Sequence, residues 1–330
     1  VPIGHITNGV HTRTWVAPLM ADLYARHLGE NWSGHVVDPG MWAQIEHIPD
    51  AELWHCHQVL KERLIAHARF KIKRSRQERG EAPDDISAVD QLLNPKALTI
   101  GFARRFSPYK RGALIMHDFE RAIRIIGNAK RPVQIIFSGK AHPADEEGKR
   151  IIQRLIEWCR HPALRDRVAF IENYDIFTAK KLVHGIDIWL NNPRRPLEAS
   201  GTSGQKVCFN GGINFSVLDG WWCEGYQVGP EGKGLNGWAI GEDAHTSDQK
   251  LQDQIDADSL YQLLEDEIIP LYYDQDEQGI PHGWTQLMKA SIRTNAPAFN
   301  SDRMVAEYVA KMYAPETTAE IEPILASMIS

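Results

Sequence analysis

Ile186-Asp-Ile-Trp-Leu-Asn-Asn-Pro-Arg-Arg-Pro-Leu-Glu-Ala-Ser-Gly-Thr-Ser-Gly-Gln-Lys206 joins a short apolar run to a loop rich in glycine and hydroxyl groups. Residues 186–190 read as a buried strand. Beyond it, Gly201 and Gly204 let backbone N–H groups approach an anion closely, and Ser200, Thr202 and Ser203 add donors. Lys206 is expected at the end of this loop, within reach of whatever binds there. Two nucleotide readings fail on spacing. A phosphate-binding P-loop needs glycines five apart and a lysine followed by Ser or Thr, whereas these glycines are three apart and Val207 follows Lys206. A dinucleotide fingerprint needs G-x-G-x-x-G, and only its second half is present. Read alone, the stretch is equally an ordinary turn with a solvated lysine.

Outward from this junction the pattern repeats. Short β-rich runs at 97–103, 133–138, 168–172 and 186–190 alternate with helical segments such as 114–127 and 147–160. Such alternation predicts an α/β fold, a Rossmann-like parallel sheet with helices on both faces. Ligands in such sheets gather at the carboxyl ends of the strands. That places the residues after Ala103, Gly139-Lys140, Asn173-Tyr174 and the stretch from Asn191 on one face. Before the sheet, Leu53, Leu60, Leu64, Ile65 and Phe70 recur at helical spacing and predict a long amphipathic helix over 51–79. After it, Leu260, Leu263, Leu264, Ile268 and Ile269 predict a helix over 258–273, and 304–312 supplies another. The expected organisation is a leading helical segment, 1–96, a Rossmann-like core, 97–280, and a helical tail, 281–330.

Composition bounds the function. The chain has 330 residues, 43% hydrophobic and 24% charged, and its net charge of -6 gives no general attraction to nucleic acid or anionic membranes. Phosphate affinity must therefore be local, and Arg104, Arg105 and Lys110 cluster after a predicted strand. No apolar run approaches the roughly 20 residues needed to span a bilayer, and Val1-Pro-Ile-Gly lacks the character of a secretory signal. Cys56, Cys159, Cys208 and Cys223 form no C-x-x-C pair and read as reduced interior thiols. The cytoplasm is the expected compartment. His47, His55 and His57 complete no ligand pattern and no metal is expected. Trp221-Trp222 reads as packing rather than as a sugar platform.

Five motifs in order carry a resemblance to a known family. They are Thr7-Asn-Gly9, Phe102-Ala-Arg-Arg-Phe-Ser-Pro-Tyr-Lys-Arg111, Ser138-Gly-Lys-Ala-His-Pro-Ala144, Glu172-Asn-Tyr174 and the stretch from Asp187 to Lys206. Together they resemble the α-glucan (glycogen, starch, maltodextrin) phosphorylases, and Ser301-Asp-Arg-Met-Val-Ala-Glu-Tyr308 is similar to the end of a bacterial-type member. The resemblance implies the C-terminal half of a two-domain GT-B architecture, with the N-terminal domain of the same protein missing. It implies transfer of a terminal glucosyl unit from an α-1,4-glucan to inorganic phosphate, giving glucose 1-phosphate with retention.

By the same resemblance Lys206 holds pyridoxal 5'-phosphate as an imine, with the cofactor's phosphate rather than its ring taking part. Arg104, Thr202 and the backbone N–H of Ser203 hold that phosphate, and Tyr174 lines the pocket. Arg105, Lys110 and Thr202 bind the substrate phosphate. Asn8 contacts the sugar's 6-hydroxyl, Glu198 accepts from the 3-hydroxyl, and Ser200 and Gly201 offer backbone donors near the 3- and 4-hydroxyls. Arg104 stands where many relatives have lysine, and Ser107-Pro108 replaces a His-Glu pair of animal members. Two rival readings are a nucleotide-sugar GT-B glycosyltransferase and a non-catalytic fragment that binds cofactor or glucan. Homo-oligomerisation is left open.

Overall fold

The computed structural model describes residues 3–229, 232–241 and 246–313; residues 314–330 of the expected tail lie outside them. Six strands form one parallel sheet: β1 (Leu98–Ala103), β2 (Val133–Ser138), β3 (Val168–Ile171), β4 (Ile188–Asn191), β5 (Ile213–Val217) and β6 (Gly237–Ile240). Their order is β3-β2-β1-β4-β5-β6, the doubly wound arrangement in which the chain reverses direction between β1 and β4. The register pairs Leu98 with Val133, Ile100 with Ile188 and Asn191 with Ser216. The first four strands coincide with the expected runs to within two residues at either end. β5 and β6 extend the sheet beyond them.

The sheet forms because its strands are apolar on both faces. Leu98, Ile100 and Phe102 of β1, Ile135 and Phe137 of β2 and Phe215 of β5 enter one core cluster. Ala103, Ile136 and Trp189 enter the other. Burying each large aliphatic or aromatic side chain stabilises by about 1.5–3 kcal/mol. Helices cross back over these faces, and several begin at an aspartate whose carboxylate accepts from the first turn: Asp118, Asp145, Asp175 and Asp248.

The long helix spans Asp50–Glu78 and buries Leu53, Leu60, Leu64 and Ile65. Phe70 departs from expectation, being 62% exposed. The buried stripe continues instead through Ala68 and Ile72, which follow Leu64 and Ile65 at helical spacing, and Phe70 falls between them. The same helix contributes a wholly buried polar network at the amino end of β4. His57 Nε2 lies 2.7 Å from Asp187 Oδ1, Lys61 Nζ donates to Asp187 Oδ2 at 2.5 Å and to the Tyr272 hydroxyl at 2.7 Å, and the Thr99 N–H donates to Asp187 at 2.7 Å. His55, two residues along, is exposed.

The helix expected at 258–273 begins earlier, at Gln249, and runs to Leu263; a π-helical turn, Leu264–Ile268, and a short helix, Ile269–Tyr273, continue it. Pro270 supplies a reason, since a ring without an N–H cannot extend the i→i−4 ladder. The segment expected at 114–127 is a 3-10 turn, Leu114–Met116, and a helix, Phe119–Ile126. Ser301–Tyr308 and a π-helical turn, Val309–Tyr313, replace one helix at 304–312.

All four cysteines are free, but only Cys56 and Cys208 are buried. Cys159 is half-buried and Cys223 exposed, which corrects the expectation of four interior thiols. Trp221 and Trp222 are buried and pack with Cys208 and Phe299. Among the described residues, no helix is long and apolar enough to cross a membrane.

Candidate active site

A doubly wound sheet opens a crevice where the strand order reverses, beyond the carboxyl ends of the two central strands. Here those strands are β1 and β4, and the chains leaving them meet at Glu198. Its carboxylate accepts from Arg104 Nη2 and from Lys110 Nζ, the latter at 3.0 Å. Glu198 and Lys110 are buried, and the Arg104 side chain is 9% exposed. Two cations thus share one carboxylate in a poorly hydrated place. Arg104 Nε and Nη1 and the Ser200 and Ser107 hydroxyls are buried without a hydrogen-bond partner. Unpaired buried guanidinium donors favour an anion.

Backbone contacts fix this arrangement. The Glu198 N–H donates to Asp219 Oδ2 at 2.8 Å, and the Trp221 N–H donates to the Ser200 carbonyl at 2.9 Å. Burial raises the Asp219 carboxyl above its usual range, opposed by the N–H groups of Glu198 and Gly220. On the β1 side the Arg104 N–H donates to the Ser138 carbonyl at 3.1 Å. Gly139 has φ +149°, and a Cβ there would lie 2.0 Å from the Arg104 carbonyl oxygen. The loops leaving β1 and β2 approach so closely that no side chain fits.

Lys206 is not at the end of a loop, as the sequence suggested. It lies in the second turn of a helix, Thr202–Cys208. The glycines misled: Gly201, at φ +81° and ψ 46°, is the left-handed residue that opens this helix. Gly204 is there for close packing, since a Cβ would meet Asn214 Oδ1 at 2.6 Å and Trp221 Cζ2 at 2.9 Å. Lys206 Nζ sits 3.5 Å from Thr202 Oγ1 and 4.3 Å from the centre of the Trp15 ring. Burial holds its ammonium pKa below the ordinary lysine value, which enriches the neutral, nucleophilic amine.

The remaining expected residues are dispersed around this centre. The Ser203 hydroxyl accepts from Trp189 Nε1 at 3.1 Å. Asn8 is exposed, and its carbonyl accepts from Gln205 Nε2 at 3.0 Å, tying its segment to the Lys206 helix. Tyr174 is half-buried against the second core cluster; burial, then the nearby Asp175, raises its phenol pKa. Arg105 is exposed and makes no hydrogen bond or ion pair among the described residues. Asp219, Gln205 and Trp15 were not singled out from sequence. Gln205 lies beside Lys206 and Asp219 near the Trp221-Trp222 pair, whereas nothing in the sequence around Trp15 marked it.

Sheet order and side-chain chemistry together define an α/β domain with an anion-binding crevice, and comparison with known proteins places it in a family. The family model for carbohydrate phosphorylases matches residues 3–266. A glycogen phosphorylase of Aquifex aeolicus is 45% identical over 95% of this chain and 44% of its own length. A maltodextrin phosphorylase of Thermococcus litoralis is 45% identical over 95% of this chain and 36% of its own length. A glycogen phosphorylase of Mycobacterium tuberculosis is 39% identical over 96% of this chain and 36% of its own length. The chain belongs to the carbohydrate phosphorylase family. It spans less than half the length of each of these relatives.

Proposed function

We propose that the chain carries the cofactor- and phosphate-binding half of an α-1,4-glucan phosphorylase, which moves a terminal glucosyl unit to inorganic phosphate and yields glucose 1-phosphate. The observation that carries this reading is the meeting of Arg104 and Lys110 at Glu198 in the crevice between β1 and β4. Family membership adds weight to it.

The residues fit pyridoxal phosphate. A half-buried lysine of lowered basicity suits covalent attachment, and the two unpaired Arg104 donors suit a phosphate. Lys206 would hold the cofactor, with Arg104, Thr202 and the Ser203 N–H on its phosphate and Tyr174 beside it. The chemistry supplied there is acid–base and electrostatic, through the cofactor's 5'-phosphate. Arg105, Lys110 and Thr202 orient inorganic phosphate. Arg105, exposed and without a hydrogen bond or ion pair among the described residues, can turn toward it; Lys110 stands inside the crevice against Glu198. Glu198 accepts from the glucose 3-hydroxyl, Asn8 contacts the 6-hydroxyl, and the N–H groups of Ser200 and Gly201 meet the 3- and 4-hydroxyls. Closing the crevice and excluding water falls to a further domain of the full-length enzyme, and the setting is the cytoplasm.

The test is to saturate the protein with pyridoxal phosphate, reduce with borohydride and map the adduct. Labelling of Lys206 is expected, and it should decline as the pH falls through that lysine's lowered pKa, because protonation removes the nucleophile. An adduct on another lysine, or none, overturns the assignment.

A further inference from the structure

The residue immediately after Lys110 is more deeply built in than anything the proposed phosphate site requires. Arg111 has φ +49°, a left-handed conformation that non-glycine residues seldom adopt, and its side chain is 3% exposed. Four hydrogen bonds hold the guanidinium. Nε donates to the Asn192 carbonyl at 2.8 Å, and Nη2 to the Pro193 carbonyl at 2.9 Å and to Asp256 Oδ2 at 2.6 Å. Nη1 donates to Asp253 Oδ1 at 3.0 Å. Its backbone is tied as well, since Asn192 Nδ2 donates to the Arg111 carbonyl at 2.9 Å.

The acceptors fall into two groups. Asn192 and Pro193 belong to the chain leaving β4, six and five residues before Glu198. Asp253 and Asp256 lie on the Gln249–Leu263 helix. Asp256 is itself held by Gln252 Nε2 at 2.8 Å. Asp253 also accepts from Arg194 through Oδ1 at 3.2 Å and Oδ2 at 2.6 Å. The Arg194 N–H donates back to the Tyr109 carbonyl at 2.8 Å. Burial pushes the Asp253 carboxyl up, and the bonds from Arg194 and Arg111 outweigh it, leaving it below its usual range. The loop bearing Lys110 and the loop bearing Glu198 are therefore clamped together, and both to one helix, by the Arg111 fork, with Arg194 bracing the same junction.

We propose that Arg111 is a positioning residue for the substrate phosphate, its fork on Asn192, Pro193, Asp253 and Asp256 setting where Lys110 stands relative to Glu198. This rests on Lys110 being a phosphate ligand. A planar fork is needed because four acceptors lie in different directions around one group; a lysine could satisfy only some of them. Loss of the fork lets the Lys110 loop shift, and misplacement by about 1 Å can cost on the order of 10²-fold in rate.

The test uses the complete enzyme with Arg111→Lys and Asp253→Asn. Phosphorolysis by the unsubstituted enzyme is measured first; its absence overturns the parent reading without bearing on Arg111. Given that activity, both variants are expected to raise KM for phosphate by roughly 10- to 100-fold, in line with the cost of a small misplacement. Glucan KM and the borohydride adduct on Lys206 should stay near the parent's, while the melting temperature falls by a few degrees because buried acceptors lose a donor. Arg111→Ala should be worse than Arg111→Lys if it folds; if it does not, Asp253→Asn alone decides. An unchanged KM for phosphate overturns the proposal. So does a variant that loses adduct, melting temperature and both KM values together, because that is a structural role only.

Discussion

Lys110 and Arg105 carry the same charge into the same proposed task from opposite surroundings. Lys110 is buried against Glu198, whereas Arg105 is exposed and has no hydrogen bond or ion pair among the described residues. If both stabilise phosphate where charge develops, replacing either by alanine in the complete enzyme should lower turnover by roughly 10²- to 10³-fold, as for one lost preorganised donor. Their stabilities should separate. Lys110→Ala takes a partner from a buried carboxylate and should cost about 1–3 kcal/mol, while Arg105→Ala should leave denaturant unfolding almost unchanged. Equal phosphorolysis rates at saturating phosphate would show that neither side chain acts on the phosphate. Sequence revealed these side chains because chemistry selects residue types that can be recognised in a motif. It did not reveal Asp219 or Gln205, which act on backbone groups of Glu198 and Asn8. A carboxylate or amide bound to a distant N–H or carbonyl leaves no mark on local composition.

At the scale of elements, four of the six strands were legible in the sequence. β1 to β4 read clearly because a strand covered on both faces is a continuous apolar run. β5 did not, since Ile213-Asn-Phe-Ser-Val217 alternates with polar residues that are nonetheless buried. Asn191 Nδ2 donates to Ser216 Oγ at 3.0 Å, a cross-strand bond that makes a hydroxyl acceptable inside. β6 is four residues long and opens on Gly237 at φ +156°. The Lys206 helix was hidden by two glycines, Gly201, which opens it in the left-handed region, and Gly204, which packs against Asn214 and Trp221. Gly139 offers the corresponding test for a connection: Gly139→Ala would drive a methyl to 2.0 Å from the Arg104 carbonyl oxygen. The loop after β1 must then move. We expect loss of at least about 1–3 kcal/mol from strain alone, read by denaturant unfolding, together with weakened phosphate binding. A variant as stable as the parent would mean that the two loops separate at no cost.

For the whole molecule, the crevice between β1 and β4 supplies only one wall of the proposed active site. Water reaching the phosphate screens Arg105 and Lys110, and unrestrained glucan forfeits much of the roughly 7–11 kcal/mol that positioning can contribute. The 330-residue chain by itself should therefore fold cooperatively and take up pyridoxal phosphate on Lys206, yet release no glucose 1-phosphate from maltodextrin at a rate near the usual enzyme median of about 10 per second. Turnover at that rate from the purified chain would show one wall to be sufficient.

The strand β4 gives the molecule a division of labour. Before its first residue stands Asp187, locked to His57 and Lys61 away from solvent. Beyond its last begins the chain that reaches Glu198. Four strand residues at about 3.3 Å each separate these ends by roughly 13 Å, farther than the distance at which substitutions usually stop influencing one another. Durability and reactivity are thus independently adjustable. An engineer seeking a hardier protein would work around Asp187, one altering the sugar contact proposed for Glu198 around that residue, and the two sets of changes should combine with their separate effects intact.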